Sequence, residues 1–188
     1  NIIEFKNVSK HYGHTKKIKV LNKINFNFKK GNIYSLVGPS GSGKSTLLNL
    51  LSLIDRPTSG TIRILNNTIN YNRSMDNDLL RAKKIGIIYQ ENNLLPDFTA
   101  LENVYLARLA ISNNKKKAIY DALTIINKLG ISKRKNHFSN ELSGGEMQRF
   151  AISRALINSP EIILADEPTG SLDFKNAKEV FKTLFKLK

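Results

Sequence analysis

Gly38-Pro39-Ser40-Gly41-Ser42-Gly43-Lys44-Ser45 follows the spacing G-x-x-x-x-G-K-[ST]. In such a loop the backbone N–H groups wrap a nucleotide's phosphates, the lysine reaches the β and γ groups, and the serine hydroxyl meets Mg²⁺. The glycines let the loop curl tightly and bring bare backbone against the anion. Upstream, Asn32-Ile33-Tyr34-Ser35-Leu36-Val37 reads as a buried strand leading in; downstream, Thr46-Leu47-Leu48-Asn49-Leu50-Leu51 reads as a helix leading out. A Gly-rich turn with no ligand is the bland alternative, and it does not call for that strand–loop–helix setting. The expected nucleotide-binding residues are therefore Gly38, Pro39, Ser40, Gly41, Ser42, Gly43, Lys44, Ser45 and Thr46. The implied ligands are a nucleoside triphosphate and Mg²⁺.

The chain has 188 residues, 40% of them hydrophobic, enough for one substantial core or two compact lobes. It has no cysteine, so neither a disulfide framework nor a thiolate metal site exists. No apolar run approaches the roughly 20 residues that span a bilayer, so the expectation is a soluble protein or one held at a membrane by a partner. The net charge of +15 invites a nucleic-acid reading. The lysines are scattered among Asn and Ile, however, and the dense clusters Lys115-Lys116-Lys117 and Lys133-Arg134-Lys135 read as solvated helix ends or loops. A surface facing anionic lipid would use such charge equally well. Charge does not settle the partner.

Ile2–Val8, Ile18–Leu21, Ile24–Phe28 and Ile33–Val37 have strand character. Pro57–Gly60 is a turn before the strand Thr61–Leu65 and an Asn66-Asn67 hairpin signal. Asp76–Lys84 reads as a helix and Ile85–Tyr89 as a buried strand. Helical periodicity follows over Ala100–Ile111, Lys115–Leu129 and about Gly144–Asn158, before a buried strand at Glu161–Ala165 and an amphipathic helix at Lys175–Leu187. The fold class is thus α/β: a phosphate-loop core with a mainly parallel sheet, an N-terminal antiparallel β-subdomain and a helical insert. Residues 1–89 with 157–188 form the core, and 90–156 the helical subdomain.

Ile162-Ile163-Leu164-Ala165-Asp166-Glu167 delivers two acids at a strand's carboxyl end, where ligands sit in open α/β sheets. Asp166 is placed to hold Mg²⁺ through water. Glu167 is placed to orient and deprotonate an attacking water. Leu142-Ser143-Gly144-Gly145-Glu146 contains an S-x-x-E capping box that starts a helix. Its glycine-softened N-terminus also exposes N–H groups and a positive dipole end suited to a γ-phosphate.

Leu-Ser-Gly-Gly-Glu with Met147-Gln148-Arg149-Phe150-Ala151-Ile152-Ser153-Arg154-Ala155-Leu156 resembles the signature of ABC-type ATPases. The phosphate loop and the Asp166-Glu167 strand stand in the right order around it, and the resemblance covers essentially the whole chain. It implies that Tyr12 stacks on adenine and that Gln90 touches Mg²⁺ and the attacking water. It gives Ser171-Leu172-Asp173 the place of a loop crossing to a partner subunit. It also implies a head-to-tail pair of identical chains, each ATP lying between one phosphate loop and the partner's Ser143, Gly144 and Gly145. Catalysis then falls to Glu167, Gln90, Lys44 and Ser143, and the metal to Ser45, Gln90 and Asp166. A monomer is expected to bind ATP yet hydrolyse it poorly.

The family has a switch histidine beyond a further strand. His11, His14 and His137 stand elsewhere, so a C-terminally truncated cassette with impaired turnover is the expectation. Gln90–Val104 is similar in wording to the ATPases of bacterial lipoprotein-releasing systems, and Leu53–Gly60 and Ala165–Asp173 agree with the wider group, which also includes macrolide-export and cell-division ATPases. That resemblance implies integral membrane permease subunits as partners and a peripheral place on the cytoplasmic face of the inner membrane. No direct nucleic-acid partner is expected, because ribosome- and DNA-associated relatives carry paired cassettes or long coiled coils.

Overall fold

Alternating apolar residues build the first sheet. The computed structural model of the chain describes residues 1–13, 17–170 and 172–185. The described residues divide into two compact units, within 1–78 and 79–185. In the first, β1 (Ile3–Tyr12), β2 (Ile18–Phe28), β3 (Ser59–Ile64) and β4 (Asn67–Thr68) form an antiparallel sheet in the order β2-β1-β3-β4. Phe5 pairs with Phe26 on one side and Ile62 on the other, and Ile3, Phe5, Ile62 and Ile64 are buried. At Asn7, with φ 50°, the pattern slips, so that Val8, Ser9 and Lys10 turn inward together.

The sequence pattern suggests two strands at Ile18–Leu21 and Ile24–Phe28; the structure has one. Lys23 takes φ 47° and donates its N–H to Ser9 Oγ at 2.9 Å. The interruption is thus a bulge that keeps both halves paired to β1. Helix α1 (Lys44–Leu51) follows the glycine-rich loop.

Ile33–Val37, expected as a buried strand, pairs with no strand among the described residues, and Val37 is 86% exposed. A hydrophobic run becomes a strand only when an edge accepts its N–H and C=O groups. Here side chains anchor the segment instead. Tyr34 packs edge-on against Phe26 and Phe28 and accepts the Lys29 N–H at 2.8 Å.

Helix α2 (Ser74–Lys84) leads into β5 (Ile85–Ile88), which pairs in parallel with β6 (Ile162–Ala165), Ile85 opposite Ile162 and Ile88 opposite Ala165. Between them come α3 (Ala100–Leu109), α4 (Lys115–Lys128) and α5 (Gly144–Leu156); α6 (Phe174–Phe185) follows β6. Val104, Ala118, Ala122, Ile126 and Phe150 form one helical core, and Ile88, Ile152 and Val180 another beneath the parallel strands. Ser171, expected in a crossing loop, lies outside the described residues.

Gly86 lets β5 press against the end of α5: a Cβ there would sit 2.6 Å from Ala155 O and 3.0 Å from Pro160 Cγ. The offending atom is backbone and cannot swing aside. Gly86→Ala is expected to cost about 1–3 kcal/mol through forced displacement of the two elements. A urea melt at unchanged slope should show the lower midpoint; an unmoved midpoint would contradict this packing.

Candidate functional site

The expected site residues divide between the two units. In the first, the loop carries φ 79° at Gly41 and 92° at Gly43, backbone that L side chains rarely adopt. Gly43 is also crowded: a Cβ would lie 3.1 Å from Val20 Cγ1 and 3.2 Å from Val20 O. Glycine at 43 therefore serves both conformation and close approach. Gly43 is the N-cap of α1 and provides no side-chain cap, so the start of this helix keeps its positive end and unclaimed N–H groups.

Lys44 Nζ folds over the loop and donates to Gly38 O at 2.8 Å and Pro39 O at 2.9 Å. It has no carboxylate partner among the described residues. A cation held only by neutral carbonyls at a helix's positive end is a seat for an anion such as a phosphate chain. These features fit a triphosphate by chemistry as well as by motif.

Tyr12, at the end of β1, is 40% exposed and donates its hydroxyl to Asp55 Oδ2 at 2.8 Å. Burial and the bond to Asp55 hold the phenol above its ordinary range. Burial opposes ionisation of Asp55, yet hydrogen bonds from Lys10, Tyr12 and the Arg56 N–H, with the Lys10 charge, carry its carboxyl below the ordinary range. Lys10 donates to Asp55 Oδ1 at 2.6 Å and to Arg56 O at 2.8 Å. Lys10 belongs to no motif, and Asp55, though within the Leu53–Gly60 stretch quoted above, has no site role assigned by sequence. The available signal was the two-residue offset of Lys10 from Tyr12 along a strand.

In the second unit, β5 and β6 end side by side and Asp166 N donates to Ile88 O at 2.9 Å. The strand pair therefore presents Gln90 and Asp166-Glu167 at one carboxyl edge. Glu167 takes φ 43°, a left-handed conformation that costs a non-glycine residue about 1–3 kcal/mol. It is closed into a turn by Gly170 N–H donating to Glu167 O at 3.0 Å. Gly170 lies close to both side chains: a Cβ there would lie 3.3 Å from Glu167 Oε2 and 3.6 Å from Gln90 Nε2. The structure thus brings Gln90 and Glu167 into one neighbourhood.

The segment after Gln90 is stapled from two helices. Asn103 of α3, fully buried, accepts the Leu95 N–H and donates to the carbonyls of Leu95, Phe98 and Thr99. Arg154 of α5 donates to Asn93 O at 2.6 Å and Asn92 O at 2.8 Å. Both positioning residues escape sequence reading, because a staple between distant segments leaves no periodic trace.

At the start of α5 the expected capping box is present. Ser143 N–H donates to Glu146 Oε2 at 2.9 Å, and Glu146 N–H to Ser143 Oγ at 3.3 Å. The Ser143 N–H, and then Arg134 at 3.0 Å, hold the Glu146 carboxyl below its ordinary range against partial burial. Ser143 and Gly144 are exposed, while Leu142 anchors the turn in the helical core.

Among the described residues there is no cluster of three or more His, Cys, Asp or Glu side chains able to hold a metal. Ser45, Gln90 and Asp166 offer a hydroxyl, a carboxamide and a carboxylate, all hard oxygen donors. Oxygen donors of this kind suit Mg²⁺, which keeps several waters and shares substrate phosphates.

The family model for the ABC transporter matches residues 21–170. The lipoprotein-releasing system ATP-binding protein LolD of Rickettsia bellii is 48% identical over 187 residues, 99% of this chain and 82% of that protein. LolD of Bacteroides thetaiotaomicron is 41% identical over 187 residues, 100% of this chain and 84% of that protein. The ATP-binding cassette MJ0796, in a dimeric post-hydrolysis state bound to ADP and Pi, superposes with a TM-score of 0.90 at 40% identity. That match covers 98% of this chain and 82% of MJ0796.

Proposed function

The chain belongs to the ABC transporter family, and on that premise we propose that it is the ATP-hydrolysing motor subunit of a transporter that releases lipoproteins from the bacterial inner membrane. The observation that carries the ATP-binding reading is Lys44, an ammonium held, among the described residues, by Gly38 O and Pro39 O at the start of α1, which has no side-chain cap. The cargo reading draws on the near full-length similarity to LolD proteins.

In this reading the loop 38–45 and Thr46 hold the phosphate chain, and Tyr12 stacks on the base. Ser45, Gln90 and Asp166 hold a Mg²⁺ ion, whose charge, when bound, offsets charge on the phosphate oxygens. Glu167 orients a water and takes its proton, while Gln90, its neighbour across Gly170, fixes that water's position. A second copy supplies the Ser143 hydroxyl and the N–H groups of Gly144 and Gly145, which approach the γ-phosphate from the opposite side; the Ser143 N–H is committed to Glu146. Residues 1–89 with 157–188 act as the ATP-binding core and 90–156 as the signature subdomain. The chain sits peripherally on the cytoplasmic face of the inner membrane, bound to integral permease subunits. No described helix is long and apolar enough to cross the membrane itself.

The test is reconstitution. Purified from mild-detergent membranes with its permease subunits and placed in lipid vesicles, the complex should release a diacylated or triacylated lipoprotein only when Mg-ATP is supplied. ATP-driven efflux of a macrolide without lipoprotein release would move the chain to a sibling group. Release that proceeds without ATP would remove the motor role.

A further inference from the structure

The polar cluster around Tyr12 is more elaborate than a stacking surface alone requires. Its hydroxyl donates to Asp55 Oδ2 at 2.8 Å. Asp55 is itself immobilised by Lys10 Nζ at 2.6 Å and by the Arg56 N–H at 2.7 Å. Lys10 completes its shell on Arg56 O at 2.8 Å. The Lys10 side chain is only 10% exposed, so this ion pair is not a surface contact free to open. The same ammonium lies 4.7 Å from the centroid of the Tyr12 ring, within cation–π range. One face of the ring is therefore already taken.

We propose that Lys10 and Asp55 are positioning residues for the nucleobase: they lock the Tyr12 ring in one orientation and close one of its faces, so that a purine stacks on the opposite face alone. The proposal rests on the reading of Tyr12 as the base platform. A strand-end tyrosine free to turn would lose rotamer freedom on stacking, and that loss subtracts from affinity. The Asp55 tether removes that freedom when the chain folds. Asp55 N–H donates to Asn49 O of α1 at 3.1 Å, so the tether also ties the ring to the helix that receives the phosphates. Base and phosphate subsites then share one rigid frame, which sets how far from the phosphates a base must lie.

The experiment compares Mg-ATP with inorganic tripolyphosphate, which reads the phosphate subsite alone. Binding of each is measured by calorimetry on purified protein carrying Tyr12→Phe, Asp55→Asn, both together, or Tyr12→Ala. Tyr12→Phe removes a single hydroxyl and keeps the ring. Tyr12→Phe and Asp55→Asn should each weaken ATP by about five- to tenfold and leave tripolyphosphate within about twofold. The double variant should be no worse than either single one, since both cut the same tether. Tyr12→Ala should weaken ATP further, by about tenfold or more. Loss of ATP affinity in Tyr12→Ala, with parental affinity in Tyr12→Phe and Asp55→Asn, would refute the tether and leave the platform standing. A parental ATP-to-tripolyphosphate ratio in Tyr12→Ala would refute the platform and the tether with it. Equal losses for both ligands would mark the cluster as structural and overturn the proposal.

Discussion

Glu167→Gln is expected to slow ATP turnover by about 10²–10⁴-fold, the range that a positioned general base contributes, while nucleotide binding is retained. Glutamine keeps the length and shape of the side chain and loses only the capacity to take a proton. The surroundings should accept it. Residue 167 is held at φ 43° by the turn to Gly170, and backbone strain of that kind does not depend on the terminal group. Glu167 is exposed, so a carboxamide of the same size in its place still meets solvent. In the full-length protein, with hydrolysis blocked and binding intact, an ATP-pinned dimer of the kind proposed above should persist, since the step that would release it no longer occurs. Single-turnover hydrolysis and size-exclusion chromatography in Mg-ATP check the two halves separately. Turnover at the parental rate would move the general base elsewhere.

The parts of this site legible in the sequence are those whose geometry is local. The phosphate loop, the Ser143–Glu146 capping box and the Asp166-Glu167 pair each depend on residues a few positions apart. Backbone hydrogen bonding converts such spacing directly into shape. The α/β character was legible for the same reason: Ile85–Ile88 and Ile162–Ala165 are short apolar runs, and both became paired parallel strands.

What escaped depends on partners distant in the chain. Ile33–Val37 has the composition of a strand, but pairing is decided by whichever edge meets it, and Tyr34 is instead drawn to Phe26 and Phe28. The single strand β2 was hidden because the bulge at Lys23 depends on Ser9, 14 positions away. Asn103 and Arg154 read as an ordinary polar and an ordinary basic helix residue. Their roles appear only when the carbonyls of residues 92–99 are seen to converge on them. Lys10 shows the same limit. By composition it is one of many surface lysines, yet it is buried against Asp55, 45 positions away, and it covers one face of the tyrosine.

Lys44→Ala should weaken ATP binding by about 100-fold, the loss of one or two charge-assisted hydrogen bonds to phosphate in a partly desolvated loop. The fold itself should be indifferent. The carbonyls of Gly38 and Pro39 that Lys44 occupies belong to exposed residues, so water replaces the ammonium at little cost. The helix start is likewise unaffected, because Gly43 caps α1 with backbone alone. Binding and stability therefore come apart in one measurement. With ATP at 100 times the parental Kd, the parent gains about 2.7 kcal/mol against unfolding. A variant binding 100-fold more weakly gains only about 0.4 kcal/mol by the same relation. Melting without nucleotide should be superimposable for the two proteins, and melting with Mg-ATP should separate them by the difference. Equal stabilisation by ATP would mean that the phosphates are held without Lys44, and a lower melting temperature without nucleotide would mean that the lysine serves the fold rather than the ligand.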